Sequence, residues 1–241
     1  MSRCLVISDL DGTLLGDSEG LAAFRRWRNE QGEQVLLAYS SGRSFPSILE
    51  SIRSHQLPDP VAIIGEVGTD IRLYPSGQSA PQWPVRPPEW SAARIQEALV
   101  PLPELERQPE EFQSEFKISY YLRNADSEQL EAIRRRLKEV RQEVEIIYSS
   151  NRDLDLLPKG VHKGSSANHL AQCLGLSIEE TIACGDSGND APMFTQGRRS
   201  VIVANALPEL KALSGPHIFH ASRSFAAGVV EGLEFWLRKP A

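Results

Sequence analysis

Short apolar runs alternate with amphipathic segments over the first 75 residues of the chain. Residues 4–8, 34–39 and 61–64 are dominated by Val, Leu, Ile and Ala, which is typical of strands buried in a parallel sheet. Segments 19–31 and 44–55 carry large apolar side chains at the three- and four-residue spacing of helices. This alternation of strand and helix predicts a parallel sheet covered by helices.

The alternation stops between residues 75 and 90, where five prolines indicate a linker. A different succession of predicted helices and strands follows the linker, and Pro158 and Gly160 mark the end of this segment. It includes an amphipathic helix for which Ser127 is the predicted N-cap. The predicted elements of this α+β unit are helices over 91–100 and 127–141 and strands over 116–122, 144–149 and 153–157.

The strand and helix alternation resumes at His162 and continues to the last residues. We therefore predict an α/β fold in which a Rossmann-like parallel-sheet core (residues 1–80 and 160–241) carries an inserted α+β cap (residues 81–159). In this last part of the chain we predict helices over 163–173, 191–196, 206–214 and 227–238 and strands over 181–184 and 200–204.

Composition and charge narrow the classes of function. The net charge is −6 and no dense run of Lys and Arg occurs, which excludes nucleic acid as an expected partner. No apolar stretch approaches the roughly 20 residues of a membrane span. The apolar run near residue 1 is too short for the apolar core of a signal peptide. Three cysteines without metal-type spacing indicate reduced core residues. We expect a cytoplasmic monomer.

Acidic side chains follow two of the predicted strands. Asp9 and Asp11 follow the first strand, and Asp186 and Asp190 follow the strand over 181–184. Ligands of open α/β sheets bind at the carboxyl ends of strands, so these acids are expected to converge there. Magnesium takes about six oxygen ligands. The acids therefore predict an Mg²⁺ site, with Asp186, the Asp9 carboxylate and the Asp11 carbonyl as ligands.

The same acids suit covalent phosphoryl transfer. Asp9 is predicted to attack phosphorus and form an aspartyl-phosphate, and Asp11 to protonate the leaving alkoxide and then activate water. Asp190 either holds a metal-bound water, orients Lys163 or caps a helix. A simple Asp-x-Asp-Gly turn without chemistry is the alternative for Asp9 and Asp11, and the second acidic cluster argues against it.

Two further segments are candidate phosphate-binding elements. Ser41, Gly42 and Arg43 follow the second strand and open a helix, where a hydroxyl and backbone N–H groups suit a phosphate. Lys163, at the start of the returning helix, is placed to neutralise the phosphate and Asp9. A helix cap and a solvated lysine are the alternatives for these segments.

The order of these four elements resembles that of the haloacid dehalogenase superfamily of aspartate-nucleophile phosphatases. Within that superfamily the chain is most similar to the sucrose-phosphate phosphatases, in which the core holds phosphate and magnesium and the cap recognises the sugar. The resemblance is carried by Gly42-Arg43-Ser44, Val67-Gly68-Thr69-Asp70-Ile71, Lys117-Ile118-Ser119, Asp153 to Pro158 and Cys184-Gly185-Asp186-Ser187-Gly188-Asn189-Asp190. It implies that Thr69, Asp70, Lys117, Asp153 and Asn189 contribute to substrate or phosphate binding.

Two departures from the sucrose-phosphate phosphatase pattern affect the choice of sugar. Gly12-Thr13-Leu14 is the general superfamily form, and Asp70 stands where that family usually has Glu. For Lys117 and Asp153 the alternative is a pair of exposed strand residues that bind each other. Asn205 either orients the catalytic residues or belongs to a plain turn.

The resemblance implies an Mg²⁺-dependent phosphatase that converts sucrose 6-phosphate to sucrose and phosphate through an aspartyl-phosphate. The alternatives are a phosphatase for mannosylfructose phosphate or for mannosyl- or glucosyl-phosphoglycerate, and a sugar phosphomutase. A non-catalytic regulator of a sugar-phosphate synthase is a further alternative, which the complete set of acids argues against. A small-molecule sugar phosphate is thus the expected partner, and a sugar-phosphate synthase is a candidate one.

Overall fold

The computed structural model describes residues 3–83, 89–194 and 197–237. Within these ranges the chain forms two sheets and the helices that cover them. The elements are β1 Cys4–Ser8, α1 Ser18–Gln31, β2 Val35–Ser40, α2 Phe45–Ser54, β3 Ala62–Gly65, β4 Asp70–Leu73, α3 Ala92–Leu99, β5 Glu106–Arg107, β6 Ile118–Tyr121, α4 Ser127–Glu139, β7 Val144–Ser149, β8 Asp153–Pro158, α5 Lys163–Cys173, β9 Thr181–Gly185, α6 Ala191–Phe194, β10 Arg199–Ile202, α7 Pro208–Lys211, β11 Ile218–His220 and α8 Phe225–Leu237.

The larger sheet has the strand order β11-β10-β9-β1-β2-β3-β4. Its strands are parallel except β4, which runs antiparallel to β3. Every residue of β1 and β9 is buried, which explains why these strands are apolar along their whole length. Because β1 lies between β2 and β9, the loops after these three strands meet at one edge of the sheet.

The smaller sheet is antiparallel, with the order β5-β6-β8-β7. Alternate residues of its strands, such as Ile118, Leu154 and Leu156, pack with α3 and α4 in a hydrophobic cluster separate from that of the larger sheet. The residues between them face the opposite side, as the two-residue period of a strand requires. This sheet and its helices form the α+β cap, and the predicted fold class is confirmed.

Most predicted elements are present, with ends that differ by up to three residues. The N-cap of α4 is Asp126, whose carboxylate accepts from Gln129 N, whereas Ser127 is the first helical residue. Strands β4, β5 and β11 were not predicted, because they are short and carry polar or charged residues. Gln196, Arg238 and the linker prolines 84, 87 and 88 lie outside the described residues. The domain limits at residues 80, 81, 159 and 160 stay a prediction.

No helix in the described ranges has both the length and the apolar character that crossing a membrane requires.

Candidate active site

The loops after β1, β2 and β9 bring Asp9, Asp11, the segment 41–43, Asp186 and Asn189 to one cavity of about 350 Å³. Asp9, Ser41 and Asp186 line its floor, and residues of the cap sheet line the opposite wall. The backbone N–H of Asp9 continues the β1–β9 ladder by donating to Cys184 O at 3.0 Å. The parallel pairing of β1 with its neighbours therefore fixes where Asp9 emerges from the sheet.

Lys163 bridges two buried carboxylates, of which Asp9 lines the cavity, whereas Lys163 and Asp190 are not among its described lining residues. Its Nζ donates to Asp9 Oδ1 at 2.8 Å and to Asp190 Oδ1 at 2.7 Å. The lysine side chain is completely buried, and Asp9 is 5% exposed. Lys163 is the first residue of α5, so the start of that helix places the ammonium between the two acids.

Asp190 also organises the loop that carries Asp186. Its second oxygen, Oδ2, accepts from the backbone N–H groups of Asp186 at 3.0 Å and Ser187 at 3.1 Å. Both oxygens of Asp190 are thus engaged by protein groups. This arrangement favours orientation of Lys163, together with a capping role, over the role of holding a metal-bound water.

The charges of this cluster are unbalanced. Burial works against the charged ammonium of Lys163, but the carboxylates of Asp190 and Asp9 outweigh it and raise the pKa of the lysine. Burial raises the pKa of Asp9, and Lys163 opposes that rise. Burial and then Asp190 raise the pKa of Asp186 to about 7. Three carboxylates around one ammonium therefore leave an excess of negative charge.

The excess of negative charge and the type of donor atoms in this cluster both suit a divalent cation. One oxygen from each of Asp9, Asp186 and Asp190 lies within 4.8 Å of the others, and all are carboxylate oxygens, the ligands that Mg²⁺ prefers. Asp186 Oδ1 accepts from Thr13 Oγ1 at 3.1 Å, which orients this carboxylate. The residues present therefore fit a divalent metal ion such as the predicted Mg²⁺, which the carboxylates of Asp9 and Asp186 could hold.

Asp11 lies at the mouth of the cavity, where its side chain is 49% exposed. Its carboxylate forms an ion pair with Arg43, whose guanidinium also donates to Ser51 Oγ at 2.9 Å. The turn that carries Asp11 is held by Asn205, since Asn205 Nδ2 donates to Gly12 O at 2.7 Å. Of the two interpretations of Asn205, the structure therefore supports orientation of the loop that follows Asp9.

Gly12 separates the two acidic loops. Its φ is +79°, and a Cβ at this position would collide with Asp186 Oδ2. A close approach of the two loops therefore requires glycine here.

We expect Gly12→Ala to lower kcat by about 10²-fold, because the new methyl displaces a carboxylate of the metal cluster. The concentration of Mg²⁺ needed for half-maximal activity should rise as well. Gly175→Ala is the matched control, since Gly175 has a similar φ of +70° but nothing within 4 Å of the added Cβ. Both variants should lose about 1–2 kcal/mol of stability to backbone strain. Equal activities of the two variants would contradict the expectation.

The segment Ser41–Arg43, called the phosphate loop below, lies between β2 and α2. Ser41 N donates to Ile64 O at 2.9 Å, and Ser41 Oγ accepts from Arg43 N at 3.2 Å. All three residues line the cavity next to Asp9. Asn189, from the turn before α6, lines it too. The structure thus brings four of the predicted phosphate-binding residues, Ser41, Gly42, Arg43 and Asn189, together in one cavity.

The cap wall of the cavity is polar. Lys117 Nζ donates to Gly42 O at 3.4 Å, so this lysine connects the cap to the phosphate loop. Asp153 accepts from Gln108 Nε2 at 3.0 Å and pairs with Arg152 at 2.9 Å. Lys117 and Asp153 both line the cavity, and each has these other partners, which argues against the predicted alternative in which they bind each other.

Thr69 and Asp70 are not among the residues that line the cavity in the described part of the chain. Thr69 Oγ1 donates to Glu66 O at 3.1 Å. Both oxygens of Asp70 accept from Arg72 Nε, at 2.8 and 3.0 Å, along β4. The prediction that these two residues contact substrate directly therefore has no support in the geometry, which gives them local structural contacts instead.

Several cavity residues were not predicted. Asp155 is the most notable, because it is buried and accepts from Ser119 Oγ at 2.5 Å. Burial raises its pKa, and the charge of Lys117 opposes the rise. The signal was present in the sequence, since residues two apart on β8, Asp153 and Asp155, share a face. The other unpredicted lining residues are Gln108, Phe112, Tyr121, Ser149, Ser150, Arg152 and Ser187.

Comparisons with known proteins agree with this geometry. Residues 2–237 match the family described as sucrose-6F-phosphate phosphohydrolase. The chain belongs to this family. The crystal structure of the sucrose-phosphatase from Synechocystis sp. PCC6803, in complex with sucrose and phosphate, superimposes with a TM-score of 0.90 at 32% identity and covers 98% of both chains. The resemblance noted from the sequence motifs is thereby confirmed.

Two further relatives differ in the substrate that they are named for, and a more distant protein shares the fold. Mannosylfructose-phosphate phosphatase of Agrobacterium fabrum is 33% identical over 98% of each chain. Sucrose-phosphatase 1 of Nicotiana tabacum is 33% identical over 96% of this chain, but the match spans only 59% of the tobacco protein. A haloacid dehalogenase-like hydrolase of Bacillus subtilis, 20% identical with a TM-score of 0.67, shares the fold. The chain is therefore a phosphatase of the sucrose-6F-phosphate phosphohydrolase family, and it has the fold of haloacid dehalogenase-like hydrolases.

Proposed function

We propose that this phosphatase hydrolyses a phosphorylated disaccharide, sucrose 6-phosphate, in an Mg²⁺-dependent reaction that passes through an aspartyl-phosphate. The observation that carries the proposal is the buried bridge from Lys163 to Asp190 and to Asp9, which lines the cavity. It places a carboxylate for attack beside a fixed positive charge. The polar cap wall opposite supplies donors and acceptors of the kind that sugar hydroxyls bind.

Asp9 is the nucleophile in the proposed reaction. One of its oxygens attacks phosphorus, the bond between phosphorus and the sugar oxygen breaks, and Asp11 gives a proton to the departing alkoxide. Water then attacks the aspartyl-phosphate while Asp11 takes a proton from it. Phosphate leaves, and Asp9 is restored as a carboxylate.

The remaining residues hold the phosphoryl group and its charge. Lys163 opposes the rise in the pKa of Asp9 and orients its carboxylate. The phosphate loop and Asn189 bind phosphoryl oxygens. Asp9, Asp186 and the Asp11 carbonyl would hold Mg²⁺, with Asp190 fixing the Asp186 loop. The chemistry that the bound cation supplies is neutralisation of charge on the phosphoryl oxygens.

The charges around the cavity support a neutral sugar rather than a glycerate-type group. Arg43 pairs with Asp11 and Arg152 pairs with Asp153, while the charge of Lys117 acts on Asp155. A second anionic group on the substrate would be repelled by these acids and would have to compete with them for the same cations. Mannosyl- and glucosyl-phosphoglycerate are therefore disfavoured as substrates.

Mannosylfructose phosphate is the second candidate substrate. The observation that favours it is the Agrobacterium relative named for this substrate, which matches the present chain over 98% of both lengths. Both candidates are disaccharide phosphates, so the reaction and the roles of the core residues are the same for either.

We expect phosphate release from a sugar-phosphate panel to decide between these substrates. The panel comprises sucrose 6-phosphate, mannosylfructose phosphate and the two phosphoglycerates, each with Mg²⁺ and with excess EDTA. Release from sucrose 6-phosphate, lost in EDTA, is the expected result. Preference for mannosylfructose phosphate would change only the proposed substrate and leave the proposed reaction as it is. An isomeric sugar phosphate as product would indicate a mutase. Release from no substrate would refute the proposed function.

The cellular setting belongs to the same proposal. All three cysteines are free, which supports a reducing, cytoplasmic location. Cys4 and Cys184 are buried as predicted, but Cys173 is exposed at the end of α5, so the prediction of a core position was wrong for this residue. The monomeric state and a sugar-phosphate synthase as partner stay predictions, which the mass in solution and a binding assay with the synthase would test.

A further inference from the structure

A turn after β3 has an unusual backbone. Glu66 and Val67 both lie in the left-handed region, with φ of +53° and +58°. A positive φ is a genuine outlier for a β-branched residue, because its Cβ substituents crowd the backbone. Such a conformation persists only where the surrounding structure holds it in place. The contacts of this turn show what holds it.

Two backbone hydrogen bonds join the turn to the first and last residues of the phosphate loop. Glu66 N donates to Arg43 O at 2.9 Å, and Val67 N donates to Ser41 O at 3.1 Å. Between these bonds, a Cβ built on Gly42 would lie 3.7 Å from Val67 Cγ2. The left-handed backbone thus lets two consecutive N–H groups bind the carbonyls that flank Gly42.

The side chain of Val67 points to the cap. It is 1% exposed and forms a small hydrophobic cluster with Ile147 of β7 and Leu157 of β8. These two cap residues share the inner face of the sheet with Asp155, which lines the cavity. The cluster is separate from both larger clusters, so it is a hydrophobic contact between core and cap.

The turn also lies against the start of α5. Gly68 has a φ of +108°, and a Cβ there would come within 2.6 Å of the His162 carbonyl carbon. His162 directly precedes Lys163. One short turn therefore contacts the phosphate loop, the inner face of the cap and the backbone beside the buried lysine.

We propose that Val67 is a positioning residue that sets the distance between the phosphate loop and the sugar-facing sheet of the cap. A substrate that spans both is then held at both ends, which is how positioning lowers a reaction barrier. The inference rests on the proposed function, because it requires a substrate whose sugar reaches the cap. Inorganic phosphate, which occupies the core alone, does not depend on this distance.

The test compares the two ligands in Val67→Ala. We expect kcat/KM for the preferred sugar phosphate to fall by about 10- to 100-fold, mainly through KM. The inhibition constant of inorganic phosphate should stay within about twofold of the wild-type value. Val35→Ala is the matched control, since Val35 is equally buried but begins β2 at the opposite end of the sheet. It should lose stability without changing either constant.

Two further variants exclude a merely structural role. Val67→Thr keeps the branched shape and should restore KM, whereas Ile147→Ala on the cap should reproduce the selective loss. A parallel loss of phosphate affinity in Val67→Ala, or no effect of Ile147→Ala, would overturn the inference. A wild-type protein that hydrolyses no sugar phosphate would refute the proposed function itself, a result visible before any variant is made.

Discussion

Asp9→Asn is expected to lower the rate of phosphate release by about 10⁴- to 10⁶-fold, the loss typical of removing a nucleophile. An amide is a far weaker nucleophile than a carboxylate and cannot form the acyl phosphate that the proposed reaction requires. The fold should persist, because Lys163 keeps its 2.7 Å contact with Asp190 and the backbone contact of residue 9 with Cys184 remains. Single-turnover kinetics with labelled substrate and acid quenching should show protein-bound phosphate in the wild type alone.

Asp126→Asn is the matched control for this change. Asp126 is exposed at the N-cap of α4, where Asn caps nearly as well as Asp, so activity and melting temperature should match those of the wild type. Retention of more than about 1% of the wild-type rate in Asp9→Asn would exclude this carboxylate as the nucleophile. Labelled phosphate on a different residue would exclude it as well.

Lys163→Met should have the largest effect on stability. The change leaves the carboxylates of Asp9 and Asp190 buried beside each other without their cation. Breaking a buried charge pair in this way typically costs about 3–5 kcal/mol, because the remaining charge is neither solvated nor paired. Urea unfolding at pH 7 in EDTA measures the loss. Activity should fall with it, since Asp9 loses both its orientation and its compensating charge.

A surface pair offers the control for this change. Lys159 contacts Glu143 at 2.8 Å, but both side chains are largely exposed to water, which already solvates the charges. Lys159→Met should therefore leave the urea midpoint close to that of the wild type. Equal midpoints for the two methionine variants would show that Lys163 does not compensate the buried acids. The electrostatic account of the site would then be wrong.

The core of the fold and the floor of the site were predictable from the sequence for a common reason. Strands buried on both faces, such as β1 and β9, are continuous apolar runs that end abruptly in polar residues. Parallel topology then brings those ends to one edge, so the meeting of Asp9, Ser41 and Asp186 follows from order along the chain. The bridge from Lys163 required only that α5 begin at the same edge.

The cap side of the site was harder to predict. Its strands are antiparallel, so which residues face the cavity depends on pairing and register between β6 and β8. The two-residue period places Asp155 on the same face as Asp153, but local sequence does not reveal that its partner across the register is Ser119. Likewise, the motif around Thr69 and Asp70 indicated a function, but the contacts of the cap with this region are made by Val67. Left-handed backbone at a valine has no sequence signal.

The side chains of β8 alternate between a face that packs against the cap helices and a face that lines the cavity, so substitutions on the two faces have different consequences. Leu154 and Leu156 hold the cap helices, whereas Asp153 and Asp155 line the cavity. Substitutions at the second pair can accumulate without disturbing the packing behind them, because the two sets point to opposite faces. Under the proposed function, selection could therefore change the sugar while the reaction and the fold persist. Two relatives that are each about a third identical to this chain carry different substrate names.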